Sequence, residues 1–281
     1  MRRADLHIHS TASDGRYNPA EIVRMAVSAG LTIIAISDHD TVDGLSAAFE
    51  AAREFPHWML IPAVELSTDT SSGEVHVLGY FIDYTNVDFI NQLDRMRNSR
   101  EIRAEKIVLK LRELGCDVEM EQIRKIAGNG ALGRAHIAQV LLEKGYITSF
   151  KEAFNKYIGH GCPAYIGREK LTPVEAVQLI LKANGLPVLA HPFTSVSPEE
   201  MINELKPAGL IGIEVYYAGY FPAEINILLN FAKKYDLIPT GGTDYHGIDA
   251  TSDISIGATD VPIHYVEKLI SLAERRGSKA S

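Results

Sequence analysis

The chain has 281 residues, 46% hydrophobic and 23% charged, which is enough to bury a full core and unlike a peptide hormone, a disordered tail or a coiled-coil rod. Lys and Arg total 28 against 36 Asp and Glu, a net charge of −8 with no basic block, which argues against duplex DNA or a membrane surface as partner. No apolar run nears the ~18 residues of a membrane span, Met1-Arg2-Arg3-Ala4-Asp5 carries no signal core, and Cys116 and Cys162 form no CxxC pair, so a cytoplasmic protein without disulfides or a thiolate metal site is expected.

Asp5 to His9 reads as a short opening strand. Asn18-Pro19-Ala20-Glu21 supplies a cap, an N1 proline and an acidic N3 residue ahead of Ile22, Met25, Ala26 and Ala29 at helical spacing. Leu31 to Ser37 is a β-branched buried strand and Leu45 to Glu54 a helix, followed by strands at Trp58 to Leu66 and Val75 to Ile82. From Val87 the texture changes. A long charged helix runs to Leu114, and helical pieces follow at Met120 to Ala127, Arg134 to Lys144 and Phe150 to Tyr157, the last with Ser149 and Glu152 as a capping box. With no strand in it, 86–165 reads as a helical insert domain between 1–85 and 166–281, the two parts of a larger domain. Thr172-Pro173-Val174-Glu175 then opens a helix that closes at Asn184-Gly185, strand Pro187 to Ala190 follows, and Ser197-Pro198-Glu199-Glu200 opens another helix. Strand Leu210 to Val215, helix Ala223 to Tyr235, strand Leu237 to Thr240 and helix Ile263 to Arg275 complete the chain.

Repeated strand-then-helix units with nearly all-apolar strands predict an α/β fold, a parallel sheet with helices outside it. Chemically loaded residues follow almost every strand: His7 and His9, His39, Glu65, His191, and Asp244 with His246. An open sheet spreads such residues along an edge, whereas a ring of strands lets them converge. A (β/α) barrel follows, irregular or with fewer than eight strands.

Asp5-Leu6-His7-Ile8-His9-Ser10 is the strongest local signal, because histidines at i and i+2 on a strand share a face and reach one cation from a rigid backbone. Asp14 lies in the next loop, and Ser37-Asp38-His39-Asp40-Thr41 emerges from an apolar strand. Asp38 and Asp40 fit either partners that orient histidines or turn and capping residues. His76, alone on an apolar strand, gains meaning beside the carboxylate of Glu65. Ala190-His191-Pro192 ends a buried strand, and Gly241-Gly242-Thr243-Asp244-Tyr245-His246 adds an Asp-x-His pair behind glycines that permit close backbone approach. Nine nitrogen and oxygen ligands exceed the needs of one or two ions, so three divalent cations is the natural count. His and carboxylate donors suit Zn, Mn or Fe.

In order and spacing, DLHIHS, SDHD, Glu65 with VHVLGY, AHP and GGTDYH resemble the PHP superfamily (polymerase and histidinol phosphatase), over nearly the whole chain. Within it they are similar to stand-alone 3',5'-nucleoside bisphosphate phosphatases and 5'-to-3' exoribonucleases. The resemblance implies a distorted (β/α)7 TIM-like barrel with a trinuclear centre. His7, His9, Glu65 and Asp244 would hold the first metal, Asp14, His39 and His246 the second, and His76 and His191 with bridging Glu65 the third, His191 also counting as catalytic. Gly133-Arg134-Ala135-His136-Ile137 is similar to the family's GRPHIA-type segment, with Ala135 in place of the proline. There Arg134 would take a phosphate bidentately, and His136 would donate to it or protonate the leaving group. Lys156, Tyr165 and Arg168 are further candidate contacts to a second phosphate or a base, set against the commoner fate of Lys and Arg as solvated side chains. His57, His160 and His264 match no motif and read as incidental.

The implied reaction is hydrolysis of a phosphate ester on a small nucleotide such as pAp, or on short single-stranded RNA. Its nucleophile is a hydroxide bridging cations ~3.5–4 Å apart, with no protein nucleophile needed. Histidinol-phosphate phosphatase is the alternative that the same site supports. A metal-dependent amidohydrolase is disfavoured, since those sites usually end in a lone Asp and here the last motif is Asp-x-His. A non-catalytic module expects eroded ligands, and all nine positions are filled.

Overall fold

The computed structural model describes residues 2–70, 73–128, 132–167, 171–194, 197–247 and 254–277. Seven strands, β1 (Ala4–Ile8), β2 (Ile33–Ile36), β3 (Met59–Thr70), β4 (Gly73–Tyr80), β5 (Leu186–Leu189), β6 (Gly212–Tyr217) and β7 (Ile238–Gly242), neighbour one another in chain order. Just past β7 the ring nearly closes: Tyr245 bridges Ile8 in parallel, and the His9 N–H donates to the Tyr245 carbonyl at 2.9 Å. Gly242 makes this seam possible, because a Cβ there would lie 2.4 Å from the backbone nitrogen of His7. The result is an irregular seven-stranded barrel: the strand ends predict fewer than eight strands, and the family resemblance implies seven.

The expectation of a wholly parallel sheet fails at β4, which is antiparallel to both β3 and β5, while the other ladders are parallel. Two residues separate β3 from β4, enough for a hairpin and far too few for the crossover that a parallel pair needs. Paired in this way, β3 runs on to Thr70, so Glu65 lies within the strand rather than at its end.

Strand alternation sorts the two faces. Leu6, Ala35, Ala63, Leu78, Tyr80 and Val188 fill the barrel and pack on Val266, Leu269 and Ala273 of α10 (Ile263–Arg275). Ile34, Ile36, Val64, Val77 and Ile213 face outward under the covering helices. Along the inner column of β3, Ile61 and Ala63 give way to Glu65; along β4, His76 precedes Leu78 and Tyr80. An apolar plug thus fills one end of the barrel and a polar layer the other.

The first helix, α1 (Pro19–Ser28), starts on the predicted capping box, with Asn18 and Glu21 exchanging side-chain to backbone bonds of 2.9 Å. The long helix, α3 (Val87–Glu113), straddles two cores. Phe89, Leu93 and Met96 pack against the barrel, while Ala104, Ile107 and Leu111 join a separate cluster with α4 (Met120–Ala127) and α5 (Arg134–Glu143). At α6 (Phe150–Ala153) Ser149 does cap Glu152, but the Glu152 carboxylate takes the N–H and hydroxyl of Thr148, at 2.7 and 2.8 Å, instead of closing a box on Ser149. The chain then continues as a π-helical turn, Phe154–Ile158, rather than as the expected α-helix. Among the described residues no helix is long and apolar enough to cross a membrane.

Candidate metal centre

The nine side chains singled out as ligands meet in that polar layer, and Glu65 is their hub. Its Oε2 lies 3.3, 3.2 and 3.1 Å from His7 Nε2, His9 Nε2 and His39 Nδ1. Its Oε1 lies 2.8 and 2.9 Å from His76 Nδ1 and His191 Nε2. Asp244 Oδ1 is 3.3 Å from His7 Nε2 and 3.0 Å from His9 Nε2. Asp14 Oδ1 stands 3.4 Å from His246 Nε2, and its Oδ2 4.0 Å from His39 Nε2.

These contacts fit a cation better than they fit hydrogen bonds. Five of the buried atoms that lack a hydrogen-bond partner, His7 Nε2, His9 Nε2, Asp14 Oδ1, Glu65 Oε2 and Asp244 Oδ1, belong to this one layer. Buried polar atoms are rarely left so. With metal–ligand bonds of about 2.0–2.1 Å, the corners of a tetrahedron stand about 3.3–3.4 Å apart, close to the spacing of His7, His9, Glu65 and Asp244. Their donor atoms form one compact group; His9, Asp14, His39 and His246 form a second, and His39, Glu65 and His76 a third. The third differs from the set that the resemblance implies: His39 joins it, and His191 reaches the Glu65 oxygen that His76 also approaches. All donors are nitrogen or oxygen, which suits divalent transition cations.

Burial opposes charge on His7, His9, Asp14, His39, Glu65, His76, Asp244 and His246, and each outcome depends on what the group faces. Burial disfavours the His7 imidazolium, yet Glu214, Asp244 and Glu65 outweigh it and hold its pKa well above the usual imidazole range. Against the same penalty, Glu65 pushes His76 up to about 9, and Asp14 and Asp244 push His246 up to about 10. At His39 burial prevails and the pKa falls to about 3. The surrounding imidazoles overcome burial at Asp14, Glu65 and Asp244 and keep all three carboxyls well below the carboxylate range. Without metal, protons supply the positive charge that these carboxylates demand.

Several supporting residues escaped the sequence reading. Glu214 on β6, wholly buried, accepts from His7 Nδ1 at 2.9 Å and from the His191 backbone N–H at 2.8 Å. A carboxylate only accepts, so a His7 proton is held on Nδ1, and Nε2, which faces Glu65 and Asp244, is the nitrogen that would ligate a metal. Its available signal was a lone carboxylate inside the apolar run Ile211 to Val215. The Tyr217 hydroxyl donates to Asp244 Oδ2 at 3.0 Å. Arg100 of α3 reaches Asp40 Oδ2 at 2.6 Å and the Ser67 hydroxyl at 2.7 Å, and nothing local marks it out in a helix rich in arginine. Asp40 also takes the Ser67 N–H at 2.9 Å, while Asp38 takes the Ser10 N–H and the hydroxyls of Ser10 and Ser13. Asp38 therefore holds the loop after β1 in place. Asp40, His191 and Asp244 all have positive φ, 52°, 24° and 52°, a conformation that costs a non-glycine residue about 1–3 kcal/mol and that clusters at functional sites.

A cavity of about 680 Å³ opens onto His39, Glu65, His76, His191 and Asp244. Arg134 and Tyr165 line it too, as does His160, which matched no motif. Arg134 is held by the Glu74 carboxylate and lies over the Phe154 ring, 5.2 Å from its centroid. His136 does not share this cavity. Two residues along α5 point to different sides, and His136 lines a separate cavity of about 430 Å³ with Asp14 and Arg16, its Nδ1 accepting the Gly133 N–H at 3.0 Å. Burial lowers its pKa. Lys156 is exposed beside Glu152 and Tyr157, outside the main cavity. Arg168 lies outside the described residues. Cys116 is buried in the helical cluster, and Cys162 lines the main cavity.

Comparison with known proteins agrees with this geometry. The PHP domain family matches residues 5–160. The chain is 32% identical to a 5'-3' exoribonuclease of Haemophilus influenzae, covering 87% of this chain and 90% of that one. It is 28% identical to a 3',5'-nucleoside bisphosphate phosphatase of Chromobacterium violaceum, over 88% of each. A solved structure from Bifidobacterium adolescentis, described as a metal-dependent phosphoesterase, superposes with a TM-score of 0.85 at 27% identity and covers 96% of each chain.

Proposed function

This chain belongs to the PHP domain family and is a hydrolase of phosphoric esters, and from that premise we propose that it acts on a nucleotide: a 3',5'-nucleoside bisphosphate or the 5' end of a short RNA. The observation that carries the reading is the cluster of buried, partnerless donor atoms on His7, His9, Asp14, Glu65 and Asp244, of which Glu65 and Asp244 line a cavity that Arg134 also lines. We take the cation count as three, of Mn, Zn or Fe type, with the nine residues named above as ligands. When bound, such cations supply an activated water at neutral pH and neutralise phosphoryl oxygens.

The protein's own groups supply the rest. Glu65 fixes five imidazoles about one carboxylate. Glu214 holds the His7 proton on Nδ1 and so keeps Nε2 free to ligate. Arg134 lines the same cavity as the proposed ligands His76 and His191, where its guanidinium suits a phosphate. Tyr165 and His160, edge to face with centroids 5.1 Å apart, offer aromatic surface to a base. We assign 86–165 as a helical insert that supplies this substrate wall to a barrel made of 1–85 and 166–281.

The test is metal content per chain, followed by phosphate release from pAp, a 5'-phosphorylated RNA and histidinol phosphate by the same metal-loaded preparation. Two or more ions per chain and turnover of a nucleotide substrate are expected. Preference for histidinol phosphate would overturn the substrate assignment, and a chain that binds no metal would overturn the centre.

A further inference from the structure

A second feature lies outside the metal centre. Arg95, Ser99, Ile102, Arg103 and Lys106 fall at i, i+4, i+7, i+8 and i+11 along α3, and this face lines a groove of about 470 Å³ that Gly167 also borders. Helix rise sets Arg95 and Lys106 about 16 Å apart. Other cations of the helix are engaged, Arg97 with Asp43, Arg100 with Asp40 and Arg112 with Glu119. Arg95 and Lys106 are exposed and have no ion-pair partner among the described residues. On a chain of net charge −8, two such cations along one groove form a local anion-attracting feature.

The groove adjoins the catalytic cavity across residues 165–167. Tyr165 lines the cavity, Arg103 lies over its ring at 5.7 Å and donates from Nε to the Ile166 carbonyl at 2.8 Å, and Gly167 borders the groove. Three residues of extended chain reach at most about 10 Å. A strand with regularly repeating phosphates is long enough to bridge such a gap.

We propose that this groove is a subsite for the downstream phosphates of a single-stranded oligonucleotide whose terminal ester sits at the metal centre, with Arg95 and Lys106 as phosphate contacts. It rests on the phosphoesterase reading of that centre and adds a site that only a polymeric substrate uses.

The experiment compares the parent with Arg95→Gln/Lys106→Gln on the metal-loaded full chain. Binding of a 5'-phosphorylated RNA hexamer is followed by fluorescence anisotropy across a salt series, and turnover of pAp and of the hexamer is measured beside it. Lys125→Gln/Lys268→Gln, with both positions exposed on other helices, controls for net charge. Each single-strand phosphate contact contributes about 0.7 to the slope of log affinity against log salt, so the double variant loses about 1.4 of slope. Its pAp turnover stays within about twofold of the parent, and the control keeps the parental slope. An unchanged slope, an equal change in the control, or an equal loss on pAp overturns the groove. Binding reads the slope without turnover, so a chain that hydrolyses neither substrate refutes the phosphoesterase reading while the groove is still judged on its own result.

Discussion

Replacing Glu214 by Gln perturbs the metal centre without touching a ligand. The carboxylate is wholly buried and accepts from His7 Nδ1 at 2.9 Å and from the His191 backbone N–H at 2.8 Å. Glutamine keeps the shape but brings one acceptor and one donor. If its carbonyl serves His191, the amide N–H faces His7 Nδ1 and drives the ring proton to Nε2, the atom that faces Glu65 and Asp244. If its carbonyl serves His7, the amide N–H confronts a backbone donor. Either arrangement compromises a buried polar group, at about 1–3 kcal/mol. Loss of a partner that orients a ligand costs about 10–100-fold in metal affinity, or about 1.4–2.8 kcal/mol. Titration of the metal-free variant with Mn, followed by calorimetry, is expected to show that weakening, with turnover recovering as Mn is raised. Affinity unchanged within about twofold, or a loss of turnover that no Mn concentration restores, refutes the assignment of Glu214 as the residue that orients His7.

Metal binding should be steeply linked to pH. In the metal-free protein His76 and His246 have pKa values raised to about 9 and about 10, so their stabilisation of the fold is complete below the unfolded value of about 6.5 and fades as pH climbs through 9 and 10. Ligation displaces those two protons and, at His7, whose pKa is also raised, a third. The overall Mn affinity of the cluster is therefore expected to rise by up to about a thousandfold per pH unit between roughly 6.5 and 8.5, and the gap in Tm between loaded and metal-free protein to widen; a gap that narrows over this interval refutes the coupling. Gly242→Ala sets a methyl carbon 2.4 Å from both the backbone nitrogen and Cβ of His7, forcing the β1–β7 seam apart. Denaturant unfolding should show a loss of about 1–3 kcal/mol, with Gly167→Ala, where an added Cβ meets nothing within 4 Å, close to neutral; equal stability of the two variants refutes the close-approach account.

What the sequence made legible were residues whose chemistry clashes with their surroundings. His9, His39, Asp244 and His246 follow apolar strands and His7 lies near the end of one, and polar residues there are conspicuous. Glu65 and His76 were readable as a pair, but their geometry was not: β4 reverses direction, so His76 comes before the inward Leu78 and Tyr80, where the parallel strands place their ligands after the apolar residues. The hairpin responsible needed chain-length reasoning, since two intervening residues exclude a crossover. Arg134 and His136 looked like one functional unit in a linear motif, yet the turn of a helix sends them to separate cavities. Arg100 was invisible for a different reason. Its role comes from where α3 sets it against Asp40 and Ser67, and neighbouring Arg97 of the same helix meets Asp43.

Charge balance explains why this layer accepts cations rather than merely tolerating them. Asp14, Glu65, Glu214 and Asp244 bring four carboxylates into one poorly solvated shell, and an uncompensated buried ion costs several kcal/mol. Protons on His7, His76 and His246 compensate for part of this, but at His7 and His246 a second ring proton would occupy the Nε2 atom that faces a carboxylate. Proton and metal therefore compete for the same lone pairs, which is the origin of the pH linkage above. A phosphate dianion entering the cavity makes the demand larger: it adds negative charge beside Glu65 and Asp244, and Arg134 on the cavity wall is itself engaged with Glu74. Divalent cations held by the proposed ligands would offset these carboxylates, so the arrangement that makes the fold costly without metal is the one that would admit a phosphate once metal is bound.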